Sequence, residues 1–241
     1  MDLRLAGHGA LVTGGSSGIG AAIAGTLAGE GCDVLVHGRD AAAAAAVAER
    51  VAAHGVRAEV VLGDLTEPGV AEEVAVTARG FGARILVNNA GPFTGHDWDG
   101  SGPADWRAAF EGNVLPTVRV TQTLLPALRQ HGWGRVITVG TRAVRTPQPD
   151  PAARSAARAA MVNMTTSLAH HLAGTGVTAN CVSPGVIVMD EERVDGSAGE
   201  RPARPGRPED IAAAVAYLAS PLADYVNGIE LRVDGGATGT P

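Results

Sequence analysis

Short β-branched runs alternate with longer, Ala-rich segments from one end of the chain to the other. The runs are "GALVTG", "CDVLVHG", "RAEVVLGD", "ARILVNN", "GRVITVG", "VTANCVS" and "IELRVDGG". Between them lie segments with helical spacing, such as "DAAAAAAVAERVAAHG" and "EDIAAAVAYLAS". Strands that alternate with helices build a parallel sheet covered on both faces, because each crossover lays a helix against the sheet. The pattern therefore predicts an α/β fold, a single doubly wound domain over residues 1–241 with seven strands and about six helices. The run from Ala41 to Ala46 reads as plain helix, since alanine has the highest helix propensity. One irregular stretch interrupts the pattern at residues 189–210, rich in Gly, Pro and charge, after a strand end where loops bearing function sit.

The chain has 241 residues and a formal charge of −6, which gives no general field toward nucleic acid or an anionic membrane. Its start lacks the apolar core of a signal peptide, and no apolar run is long enough to span a bilayer. The two cysteines, Cys32 and Cys181, sit inside apolar runs and read as buried thiols, which fits a cytoplasmic location. No Cys/His cluster has metal-ligand spacing.

The first chemical motif is "TGGSSGIG", Thr13 to Gly20, between the first strand and the first helix. Gly14, Gly18 and Gly20 allow a tight turn, close backbone approach and close helix–strand packing, and the free amides of the helix start then face a pyrophosphate. Cofactor choice is read at the end of the second strand, where a carboxylate binds the ribose 2′-hydroxyl of NAD and an arginine pairs with the 2′-phosphate of NADP. Here "LVHGRD" offers His37, Gly38 and Arg39 and no carboxylate, and Asp40 reads as the cap of the next helix. NADP(H) is favoured over NAD(H).

"TGGSSGIG", "NNAG" at Asn88 to Gly91, Asn113, "SPG" at Ser183 to Gly185 and the closing "NGIELRVDGG" occur in an order that resembles the short-chain dehydrogenase/reductase family over the whole chain. The resemblance implies a Rossmann sheet with strand order 3-2-1-4-5-6-7, a nicotinamide cofactor across the carboxyl ends of the strands, and a homo-oligomer, tetramer or dimer. It places cofactor contacts on Thr13, Gly14, Ser16, Ser17, Gly18, Ile19, Gly20, Arg39, Asp64, Leu65, Asn89, Ala90, Gly91, Arg158, Pro184, Gly185 and Ile187.

The family carries catalysis on an Asn–Ser–Tyr–Lys set. Asn113 matches the asparagine, and Thr141 falls where the serine does and keeps a hydroxyl. Thirteen residues beyond Thr141, where the tyrosine is expected, stands Arg154, and Arg158 follows four residues later in place of the lysine. Arginine holds its proton near neutrality, so Arg154 is no ordinary acid, but it can donate hydrogen bonds and stabilise an oxyanion. At i,i+4 the two share one helix face. Ser155, one residue on, is rotated about 100° from Arg154. If a proton must be moved, His96 is the first candidate and Asp150 the second. Met189 occupies the place of a cofactor-touching threonine, and the 189–210 loop is short and polar for the family. Three readings stay open: an NADPH-dependent oxidoreductase acting on a polar or anionic, conjugated carbonyl; a non-redox isomerase, lyase or cyclase; and an inactive nucleotide-binding partner subunit.

Overall fold

The computed structural model describes residues 1–92, 95–147, 151–189 and 204–238. Seven parallel strands form one sheet, ordered β3-β2-β1-β4-β5-β6-β7. They are β1 (Gly9–Val12), β2 (Asp33–Gly38), β3 (Ala58–Leu62), β4 (Ala83–Asn88), β5 (Gly134–Val139), β6 (Val177–Pro184) and β7 (Glu230–Val233). Each coincides with one of the apolar runs, and the order is the one that the family resemblance implies. The helices among the described residues are α1 (Gly18–Gly29), α2 (Ala41–Ala52), α3 (Val70–Phe81), α4 (Pro103–Gln130), α5 (Ala152–His171) and α6 (Pro208–Ala219).

Side chains alternate across a strand, so the runs of the central strands feed two cores. Val12, Val34, Val36, Ile85, Val87 and Ile137 meet α1, α2 and α6 on one face. Leu11, Leu35, Leu86 and Val136 meet α3, α4 and α5 on the other. Both faces of β1, β2, β4, β5 and β6 are dry because these strands are apolar at successive positions, as a doubly covered sheet requires, whereas the edge strand β3 leaves Val60 and Leu62 exposed. Asp40 caps α2 as expected: its Oδ1 accepts from the amides of Ala42 and Ala43 at 2.9 and 3.0 Å.

The strand polarity brings Thr13, Asn88, Val139 and Pro184 to one edge of the sheet, the carboxyl end. In open parallel sheets that edge is where ligands bind. Asp150 and residues 190–203 of the irregular loop lie outside the described residues. The neck of that loop is closed on the flanking side by a bridge between Ile187 and Gly206 and by a two-pronged pair from Arg204 to Asp210, 2.7 Å at each prong.

Candidate active site

The glycine-rich turn is pinned at its first half and open at its second. Thr13 Oγ1 donates to Val87 O and accepts from the amides of Asn89 and Ala90 at 3.0 and 3.2 Å. Asn89 Nδ2 donates to the carbonyls of Thr13 and Gly14, both at 3.1 Å. Gly14 takes φ +62° and Gly18 φ +51°, left-handed values that favour glycine. A methyl built on Gly20 would lie 2.1 Å from Gly14 O, so the first turn of α1 packs directly on the glycine turn. Ser17 sits at the cap of α1 but makes no capping bond, and Ser17 and Gly18 are exposed. The orphan amides at the start of α1 thus face outward, which fits an anionic group such as a pyrophosphate.

Around this turn stand the remaining candidates of the cofactor edge. Ser16 is half-buried against Gly38, where a methyl would lie 2.6 Å from its Oγ, so no side chain fits at that position. Arg39 is exposed and its Nη1 stands 3.4 Å from Asp64 Oδ2. Asp64 also accepts from the Thr66 hydroxyl and amide, and these bonds, ahead of the pairing with Arg39, hold its carboxyl below the usual range. Leu65 is buried, Ile19 and Ile187 are half-buried, and Pro184 is buried with Gly185 packed on Asp234. Met189 lies across the turn: a methyl on Gly18 would meet its Cε at 3.3 Å.

Asn113, Arg158 and Gly91 are brought together. Arg158 is 2 % exposed, and its Nη1 donates to Val139 O at 2.6 Å. A methyl on Gly91 would lie 2.6 Å from both Arg158 Nη2 and Asn113 Oδ1, so a side chain there would have to displace one or both of them. Asn113 Nδ2 donates to Ala109 O at 2.9 Å, whereas its buried Oδ1 has no hydrogen-bond partner among the described residues. Burial, then the charge of Arg154, lowers the Arg158 pKa to about 10, which leaves it cationic near neutrality. Burial also lowers that of the half-buried Arg154.

Thr141 and Arg154 meet at a separate cavity of about 190 Å³, lined by Thr141, Arg142, Ala143, Pro151, Arg154, Ser155 and Gly185. Thr141 Oγ1 accepts from the Ala143 amide at 3.4 Å, so its proton remains available to a ligand. Arg142, Ala143, Pro151 and Ser155 are not among the site residues expected from the sequence, and two of them bring polar groups. Arg142 follows Thr141 in a 3₁₀ turn (Arg142–Val144) that carries it to the wall. Ser155, although a turn step away from Arg154, lines the same cavity and donates to Ala143 O at 3.3 Å. His96 is exposed and is not part of this wall; its carbonyl accepts from the Ala152 amide at 3.2 Å and so fixes the start of α5.

Residues 8–195 match the model of the short chain dehydrogenase family. The chain belongs to that family. Among its family relatives, 3-oxoacyl-(acyl-carrier-protein) reductase FabG of Vibrio cholerae is 35 % identical over 97 % of this chain and 98 % of its own. Among solved structures, the 3-oxoacyl (acyl-carrier-protein) reductase of Agrobacterium tumefaciens with NADP bound superposes with a TM-score of 0.91 at 33 % identity, covering 97 % of this chain and 95 % of that one. The L-sorbose reductase of Gluconobacter frateurii, complexed with NADPH and L-sorbose, superposes with a TM-score of 0.92 at 28 % identity over the full length of both. Among the described residues, no helix of this family member is long and apolar enough to cross a membrane, and no three acidic, histidine or cysteine side chains gather to hold a metal ion.

Proposed function

We propose that this short chain dehydrogenase is an NADP(H)-dependent oxidoreductase whose active site holds a polar or anionic substrate, a conjugated carbonyl compound, with arginines in place of the usual Tyr/Lys pair. The observation that carries this reading is Arg154 in the wall of the small cavity beside the Thr141 hydroxyl, with the buried Arg158 behind it. NADPH, when bound, supplies a hydride. The chain supplies the rest. The Thr141 hydroxyl donates a hydrogen bond to the substrate oxygen, and Arg154 pairs with a carboxylate or with the enolate that develops when a conjugated system is reduced, which water then protonates. Burial lowers both guanidinium groups, and the charge of Arg154 lowers Arg158 further; an anion between or beside them relieves this. Arg158 and Asn113 form the floor, flush against Gly91. Pyrophosphate is held by the amides after Ser17, and the adenine end by Asp64, Leu65, Asn89 and Ala90. Support for NADP comes from exposed Arg39, the room denied to a carboxylate at Gly38, and the ligands bound to the two solved relatives.

NADPH is expected to bind more tightly than NADH, and Arg39→Ala to remove most of the difference. A lost Arg–phosphate pair costs on the order of 1.5–3 kcal/mol, about 10- to 150-fold in affinity. Titration calorimetry that returned equal affinities for the two cofactors would overturn the assignment.

The chain is further expected to assemble as a homo-oligomer, a tetramer before a dimer. The helix around Val114 to Arg129 and the closing "NGIELRVDGG" resemble family segments that build subunit contacts, and each carries an exposed apolar side chain, Leu115 and Ile229. Light scattering at micromolar concentration should give a multiple of the 24.3 kDa chain mass; a monomer mass would refute the assembly.

A further inference from the structure

The glycine-rich turn is gripped by a side chain that the dinucleotide reading does not use. His37, at the end of β2, is 3 % exposed. Its Nδ1 accepts from the Gly14 amide at 3.1 Å, and its Nε2 faces Gly63 O at 3.1 Å. An amide only donates and a carbonyl only accepts, so these partners select one neutral tautomer: a bare Nδ1 and a protonated Nε2. The His37 carbonyl then takes the next amide of the turn, that of Gly15, at 2.8 Å. One residue thus satisfies two successive amides and ties the turn to the end of β3.

The grip matters because Gly14 has nowhere to go. Its carbonyl is held by Asn89 Nδ2, and Gly20 of α1 packs on that same carbonyl. We propose that His37 is a positioning residue for the dinucleotide: its neutral ring presets the turn from which the α1 amides face the pyrophosphate, and protonation of the ring releases that grip. The inference rests on the cofactor reading above.

Protonation would place an Nδ1–H against the Gly14 N–H, two donors with no acceptor between them. It would also place a charge where the ring is almost fully enclosed. The charged groups acting on the ring are Asp64, beyond β3, and Arg39, two residues along the chain; the glycine-rich turn contributes only hydroxyl and backbone groups. Burial is the main cause that lowers the ring below its ordinary value of 6.5, with Arg39 acting the same way and the Gly63 bond and Asp64 acting against it. The sign follows. A base lowered in the folded state contributes stability that is intact above pH 6.5 and is lost as pH falls below it toward the folded value. Dinucleotide affinity compares two folded states, so it should stay flat down to the lowered folded value of the ring and weaken only below it.

The test is calorimetric titration of NADPH and of ADP-ribose between about pH 5 and pH 8, on the unaltered protein, His37→Asn and His37→Leu. ADP-ribose lacks the 2′-phosphate, whose own ionisation near pH 6 would otherwise imitate the effect. Both ligands should lose affinity toward the acid end with the unaltered protein. His37→Asn keeps an acceptor near Nδ1 that does not titrate, so it should bind more weakly near neutrality but with a flatter acid limb. His37→Leu should lose about tenfold near neutrality; if it fails to fold, the Asn variant alone decides. Ring ¹⁵N shifts of the ligand-free protein should show a bare Nδ1 at neutral pH. Superimposable profiles for the unaltered and Asn proteins, or a protonated Nδ1 at neutral pH, would overturn the role of His37 while leaving dinucleotide binding intact. Absence of binding by either ligand at every pH would remove the cofactor reading and this inference together.

Discussion

Simple uncharged ketones and secondary alcohols should turn over poorly or not at all with either nicotinamide cofactor. The cavity beside Thr141 offers hydroxyls and guanidinium groups, and neither an arginine at neutral pH nor a threonine is a useful acid on its own. Positioned general acids typically contribute about 10²–10⁴ in rate, and that factor is what the proposed site forgoes. An electron-poor conjugated carbonyl demands less, because the charge left after reduction is an enolate that arginines can stabilise before water protonates it. Arg154→Tyr combined with Arg158→Lys should recover only a small ketone activity. Arg158 is sunk beneath Gly91 and Val139, and Met189 lies over Gly18, so two substitutions do not rebuild the surroundings of a tyrosine pair. Steady-state rates on a panel of neutral ketones beside acidic, conjugated ones check the expectation. Fast reduction of the neutral ketones by the unaltered protein would show another proton donor, with His96 first in line, and the anion-holding site would have to be abandoned.

Arg135→Ala should produce the largest loss of stability among single surface-preserving substitutions of the sheet. Arg135 is 1 % exposed at the amino end of β5, far from the glycine turn along the strands. It donates to Gly134 O at 2.8 Å, to Ser220 O at 3.3 and 3.4 Å and to Gly176 O at 3.5 Å, and it pairs with Asp224. Its guanidinium also lies 4.3 Å from the ring centre of Trp133, which stacks on His8. Truncation strands buried carbonyls and opens a cavity, a change worth roughly 3–5 kcal/mol. Asp224→Asn should cost far less, since Asp224 is 63 % exposed and water screens the pair. Urea unfolding of both variants checks this: a midpoint for Arg135→Ala close to that of the unaltered protein would mean that β5 does not depend on the arginine.

Much of the fold was legible because short continuous apolar runs and Ala-rich helical segments are local signals, and each run became one strand. The strand order was not local; it came from the resemblance of the motifs, and the sheet has that order. Cofactor-edge positions were legible for a similar reason, since glycine spacing after a strand has few structural uses. Arg135 was invisible because a charged residue inside an apolar run reads as an interruption, whereas here three carbonyls from separate elements solvate it. His37 was read only as the occupant of a specificity position. Its bonds to Gly14 and Gly63 depend on the register of β1, β2 and β3, which no sequence spacing reveals. Ser155 was set aside because helical rotation turns it from Arg154, but the 3₁₀ turn after Thr141 wraps the cavity so that it touches both. The Glu230 carboxylate, held by Ser183 at 2.7 Å and Arg145 at 3.0 Å, likewise joins three elements that lie far apart in the chain.

Binding of a carboxylate-bearing conjugated carbonyl to the NADPH complex, compared between the unaltered protein and Arg154→Ala, tests the central claim most directly. Calorimetric titration should show the acid binding to the unaltered protein, its neutral amide binding more weakly, and Arg154→Ala weakening the acid by about 10- to 150-fold, the worth of one charge-assisted pair. NADPH affinity should move much less in the same variant. Equal affinity for acid and amide, or an acid that binds Arg154→Ala as tightly as the unaltered protein, would contradict an active site built to hold negative charge.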